Sequence, residues 1–127
     1  MEKASYEQAG HCALHAMRSH AIAARLHAKI DDPGHQDASK AHASKARSLF
    51  TASQHHMCEV RHNPPKDNKG AFESHVANGQ RAQEHRASRD VADEARENLQ
   101  TAEAALLIGK PTLANTYRDR ALRHQPA

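Results

Sequence analysis

Large apolar side chains are scarce in this chain. Its 127 residues include no tryptophan, two tyrosines and two phenylalanines, and Leu, Ile, Val and Phe together number 16. That scarcity excludes a β-sandwich or barrel, whose strands draw on β-branched and aromatic residues in quantity. No apolar run approaches the roughly 20 residues of a membrane span. Met1-Glu2-Lys3 leads into a polar stretch, so no secretory signal is expected. The two cysteines, Cys12 and Cys58, are too few for a disulfide framework and too far apart for CxxC chemistry. Reduced thiols in a cytoplasmic protein are expected. Nucleophile-elbow, dinucleotide and phosphate-loop motifs are missing as well, and no enzyme activity is expected.

What the chain has instead is alanine and histidine. Twenty-five of its residues are Ala and 12 are His, while 18 basic against 15 acidic residues give a net charge of +3 with His neutral. An ordinary imidazole titrates near pH ~6.5, so mild acid carries the charge toward a ceiling of +15. No basic tail or acidic block breaks the balance. The content of large apolar residues falls below the roughly 20% line of disordered chains, but the low net charge does not complete that signature.

Proline and glycine divide the chain into helical stretches rich in Ala, Glu, Arg, Lys and Gln. Breaks fall at Pro33-Gly34, from Pro64-Pro65 to Gly70, and at Gly109-Lys110-Pro111. Helices are predicted over about 4–31, 35–61, 71–108 and 111–124, with Gly109 as a C-terminal cap and Pro111 in a first turn. Asn78-Gly79 is expected to end a short lead-in helix, the long helix starting near Gln80. The fold class is all-α: a single domain over 1–127, made of two αα-hairpins that form an elongated four-helix bundle. Hairpin 1 covers about 4–61, the linker 62–70 and hairpin 2 about 71–124.

Helical projection separates the faces. In the first helix Glu7, Arg18, Arg25 and Lys29 share one side. Ala9, Ala16, Ala23 and Ile30 share the other, flanked by Ala13, Ala24 and Met17, with His20 and His27 in its middle. The second helix places Lys40 and Arg47 outside and Ala46, Leu49, Met57 and Val60 inside, again with His42 and His56. The third shows a stripe of Ser88, Val91, Ala95, Leu99, Ala102 and Leu106. It would be ~55 Å long against ~20 Å for the fourth, so part of the stripe awaits a partner. A homo-oligomer or a heterologous protein partner is the economical solution.

The inward histidines suggest chemistry. A tight turn makes the first two helices antiparallel, so residues whose numbers sum to about 67–70 should face each other. That sets His27 opposite His42, and Cys12 opposite His56 and Cys58. Cys and His are ligands for Zn, Cu or Ni, which makes His20, His27, His42, His56, Cys12 and Cys58 the candidate metal set. The simpler reading is that these histidines fill a narrow Ala-lined seam and bond to neighbours. His11 and His15 have chelating i,i+4 spacing but project toward the charged side. Glu59-x-x-His62 matches one unit of a ferritin-like di-iron centre, which needs two such units and two further carboxylates; that function is excluded. Arg118, Arg120 and Arg123 form the best candidate patch for nucleic acid. The arginines of the third helix alternate with Glu84, Asp90, Asp93, Glu94 and Glu97, as on a solvated face.

The first half resembles a loose group of small His- and Ala-rich bacterial proteins without assigned activity. The resemblance lies in Gly10-His11-Cys12-Ala13-Leu14-His15-Ala16, Ala24-Arg25-Leu26-His27-Ala28, Lys40-Ala41-His42-Ala43 and Gln54-His55-His56, and it implies a helical hairpin. Taken together, these features predict a non-catalytic interaction or assembly protein working through its Ala-rich faces. The alternatives are a His/Cys metal-binding or buffering protein and a weak nucleic-acid binder.

Overall fold

Hydrophobic periodicity on good helix formers produces four helices in the computed structural model. It describes residues 2–62 and 66–126, and the side chains of 8–58 and 66–126. The helices are α1 (Glu2–Ala28), α2 (Pro33–His62), α3 (Asn68–Leu107) and α4 (Pro111–Ala121). No strand occurs among the described residues. The chain is an all-α bundle, with α1 packed on both α2 and α3, and α4 packed on α3. Ser19 meets Asp93 and Lys29 meets Glu103 at the same 74-residue offset, so α1 and α3 run parallel. The side chains of Val60 and of the Glu59–His62 pair lie outside the described residues.

Capping chemistry moves several predicted ends. Gln36 Nε2 donates to the carbonyl of Ala28 (3.0 Å), the last residue of α1, and to that of Ile30 (2.8 Å) in the turn, so α1 stops three residues before its predicted end. The Asp32 carboxylate accepts the His35 N–H at 3.2 Å and Pro33 occupies the first turn, so α2 starts at once. At the linker, Asp67 caps α3 by accepting the Gly70 N–H at 2.7 Å, and helix begins at Asn68 rather than 71. Gly109 takes φ +76° and closes α3 in a Schellman turn: its N–H bonds to Leu106 O (3.1 Å) and that of Lys110 to Ala105 O (2.9 Å). α4 stops at Ala121, short of the predicted 124.

The expected break at Asn78-Gly79 does not occur, and α3 runs through it for 40 residues. Asn78 is buried and its amide donates back to the Ser74 carbonyl at 2.9 Å, which binds the side chain into the helix. Gly79 keeps a negative φ and meets only open space, so nothing there calls for a turn.

The α1–α2 register is also tighter than predicted. Ser39 Oγ donates to Ala24 O (2.7 Å) and Ser53 Oγ to Gly10 O (3.3 Å), partners whose numbers sum to 63. Abrupt capping at Asp32 shortens the turn and moves its centre toward residue 31.

Alanine lines the contacts. Ala9, Ala13, Ala16, Ala23, Ala38, Ala92, Ala95 and Ala102 are buried, which lets the helix backbones approach closely. Leu49 with Ala13, Ala16 and Met17 forms one apolar cluster, and Ala102, Ala105, Ala114 and Tyr117 another. Among the largest fully buried side chains that the structure describes, Leu99 is the apolar one, and His20, His27 and His42 come next in size. Imidazoles occupy volume that leucine fills in ordinary bundles.

Candidate functional site

The positions 20 and 27 on α1 and 35 and 42 on α2 are each a heptad apart, so each pair recurs on one face of its helix. Antiparallel packing brings the four together. His20 Nδ1 lies 2.8 Å from His42 Nδ1, and His27 Nδ1 lies 2.9 Å from His35 Nδ1. Between these pairs the rings of His27 and His42 stack, with centroids 5.5 Å apart and planes 15° from parallel. At the inner end His20 Nε2 shares a 2.9 Å hydrogen bond with Ser88 Oγ of α3. The order along the row is His35, His27, His42, His20, Ser88, and all four histidines are buried.

Each close pair needs one nitrogen as donor and one as acceptor, which two neutral imidazoles supply. The distances are those of N–H···N hydrogen bonds. They are too short to bracket an ion: zinc–nitrogen bonds of ~2.0–2.1 Å at a tetrahedral angle hold the nitrogens roughly 3.3–3.4 Å apart. A proton fits between these rings where a metal does not. Hydrogen bonding leaves Nε2 of His27 and of His42 buried without a partner of good geometry.

Burial governs the electrostatics. It lowers the pKa of His20 from 6.5 to about 4; His42 and Lys45 press the same way, while Ser88 and Asp93 oppose. Burial also takes His27 to about 4, helped by His42 and His35. His42 is lowered by burial, offset in part by the His124 backbone, and His35 is lowered by burial against the pull of Asp32 and Asp119. A second crossing joins α2 to α3, where His56 Nε2 and the half-buried His85 Nε2 lie 3.3 Å apart; burial lowers the His85 pKa as well.

The other candidate residues disperse. Cys12 is half-buried and Cys58 exposed, both as free thiols. No group of three or more His, Cys, Asp or Glu side chains among the described residues could hold a metal ion, so the set of Cys12, Cys58 and the seam histidines does not assemble into one. His11 and His15 are exposed. Arg120 and Arg123 are exposed, with the Arg120 guanidinium 5.0 Å above the Tyr117 ring. Arg118 instead lines a cavity of about 560 Å³ with Asp31, Asp32 and Asp119, so the basic patch is split by carboxylates. On α3, Asp93 pairs with Arg89 and Arg96, both at 3.4 Å, and also accepts from Ser19 Oγ.

Sequence reasoning missed His35, Ser88 and Asp93 as members of the seam. The heptad run His35, His42, Leu49, His56 contains the signal for the first. Helical projection puts Ser88 on the α3 stripe, but nothing local marks it or Asp93 as a partner of α1, since their partners lie 68 and 74 residues away. No protein-family model, curated protein or solved structure matches the chain.

Proposed function

We propose that this is a non-catalytic helical association protein whose contact surface is the apolar corner where α3 turns into α4. One observation carries the reading. Leu107 is 88% exposed and Ile108 68%, with Leu106 and Leu113 about two-fifths exposed beside them. A chain with so few large apolar residues places four of them in contact with solvent at one corner. The Schellman turn at Gly109 fixes their backbone, so little conformational entropy is lost when they are covered. By contrast, Ala9, Ala13, Ala16 and Ala23 are spent inside the bundle, and the other exposed large apolar residues, Phe50 on α2 and Phe72 and Val76 on the first turns of α3, are spread over two helices rather than joined in one turn.

The occupant we favour is a second copy, because a two-fold axis lets one self-complementary patch cover both corners. No helix among the described residues is long and apolar enough to cross a membrane. Light scattering on the purified protein tests the reading. The expected mass is twice 14.0 kDa, falling to 14.0 kDa in a Leu107→Glu/Ile108→Lys variant with unchanged helicity. A wild-type mass of 14.0 kDa at high micromolar concentration refutes it.

A further inference from the structure

The row of four imidazoles has properties that a merely space-filling core would not need. Each Nδ1···Nδ1 pair already holds one proton between its two nitrogens. One extra proton per pair keeps that hydrogen bond, as imidazolium donor to imidazole acceptor. A second extra proton turns both nitrogens into donors facing each other at less than 3 Å. The bond is then lost, and two like charges adjoin a third and fourth across the His27–His42 stack.

We propose that this row is an acid-sensitive clasp: neutral, it closes α1 on α2, and when it fills with protons the two helices part. The surroundings favour opening over accommodation. From α2, Lys45 adds positive charge beside His20. From α3, Asp93 faces His20, but it is already held by Arg89, Arg96 and Ser19. From α4, Arg118 opposes charge on His35 while Asp119 favours it, and Asp32 at the start of α2 favours it too. The His124 backbone approaches His42, and the His124 ring is engaged with Glu94 at 3.1 Å. Among the described residues, the carboxylates that favour charge on the row beyond the engaged Asp93 are therefore Asp32 and Asp119, at the His35 end.

That asymmetry orders the events. His35 takes the first proton, at the rim next to Asp32 and Asp119. Its Nδ1–H then donates to His27 Nδ1, which obliges neutral His27 to carry its own proton on the buried, unpartnered Nε2. Further protons enter a row already charged at one end, so the groups titrate as a coupled set and opening takes up more than one proton. The device is independent of the leucine corner, which lies on α3 and α4.

The native thiols give the readout, one on each helix. Spin labels on Cys12 and Cys58 report the α1–α2 separation by pulsed dipolar spectroscopy across pH 7.5 to 4.5, alongside far-ultraviolet circular dichroism. The expected result is a longer distance developing below pH 6 with a dependence steeper than one proton, while helical signal persists. His20→Leu/His42→Leu should open at lower pH and less steeply. His35→Gln, which keeps a hydrogen-bonding side chain at the rim, should do so more mildly and covers the case in which the double variant fails to fold. An unchanged distance down to pH 4.5 overturns the proposal, as does separation that occurs only when helicity is lost. Wild-type behaviour in whichever variants fold overturns it equally.

Discussion

Lowering the pH from 7.5 to 5.0 should destabilise the protein by several kcal/mol, and the size follows from two residues. In the unfolded chain His20 and His27 titrate at 6.5, and in the folded chain burial holds them at about 4. Between those values the unfolded chain binds more protons, so acid favours unfolding. The stability associated with the neutral forms is complete above pH 6.5, is lost as pH falls toward 4, and changes no further below that. At pH 5.0 the linkage relation gives about 2 kcal/mol for each residue, or about 4 kcal/mol for the two treated as independent. Domains of this kind have only about 5–15 kcal/mol in total. With an unfolding entropy of about 2.1 cal/mol/K per residue, the melting temperature should fall by about 15 °C. Urea titrations followed by circular dichroism at pH 7.5, 6.5, 5.5 and 5.0 measure the slope directly. Equal stability at pH 7.5 and 5.0 would refute the reasoning, since it would mean that the imidazoles charge in the folded state without penalty.

Other substitutions probe separate parts of the fold. Leu99→Ala removes the largest fully buried apolar side chain, and its neighbours along α3, Ala92, Ala95 and Ala102, have no atoms to fill the space; about 3–5 kcal/mol should be lost in thermal or urea unfolding. A loss under about 1 kcal/mol would show that the helices collapse onto the gap. Gly79 inside α3 and Gly109 just past its end should respond with opposite signs. Gly79→Ala, in an open helical position, should raise stability by about 0.5–1 kcal/mol, whereas Gly109→Ala, forced to φ +76°, should lower it by about 1–2 kcal/mol. Melts of the two variants side by side check both, and a shared sign would contradict the assignment of Gly109 as the left-handed cap.

Which parts of this molecule are legible in its sequence depends on the range of the interaction that sets them. Helix type and number follow from composition and from proline and glycine placement. The Gly109 cap is equally plain, because its cause lies within three residues. Exact ends were harder to read: Gln36 and Asp67 cap through side chains that composition does not distinguish from solvent-facing polar residues. The Asn78-Gly79 dipeptide suggests a turn, while the deciding facts are the burial of Asn78 and its bond back to Ser74 within the helix. Projection did place His20, His27, His42 and His56 inward, and all four are buried.

The partners of those histidines were the difficult part. A sum rule for an antiparallel hairpin moves with the turn, and ending α1 a few residues early exchanges one set of neighbours for another. Under the predicted register His27 meets His42, and their rings do stack, but the hydrogen bonds run instead from His27 to His35 and from His20 to His42. The difference decides the chemistry. Cys12 and Cys58 beside the same histidines would have made a plausible nest for zinc or copper. Histidine against histidine at 2.8 Å makes a place for a proton. Leucine at these positions would pack as well and require no hydrogen-bond partners, so stability alone gives no reason to prefer imidazole there. The property that imidazole adds is a charge that mild acid can switch on inside the helix–helix seam. The Ala-rich faces suit that role, because alanine brings the backbones close enough for paired rings to span the seam while contributing little apolar area to resist its opening.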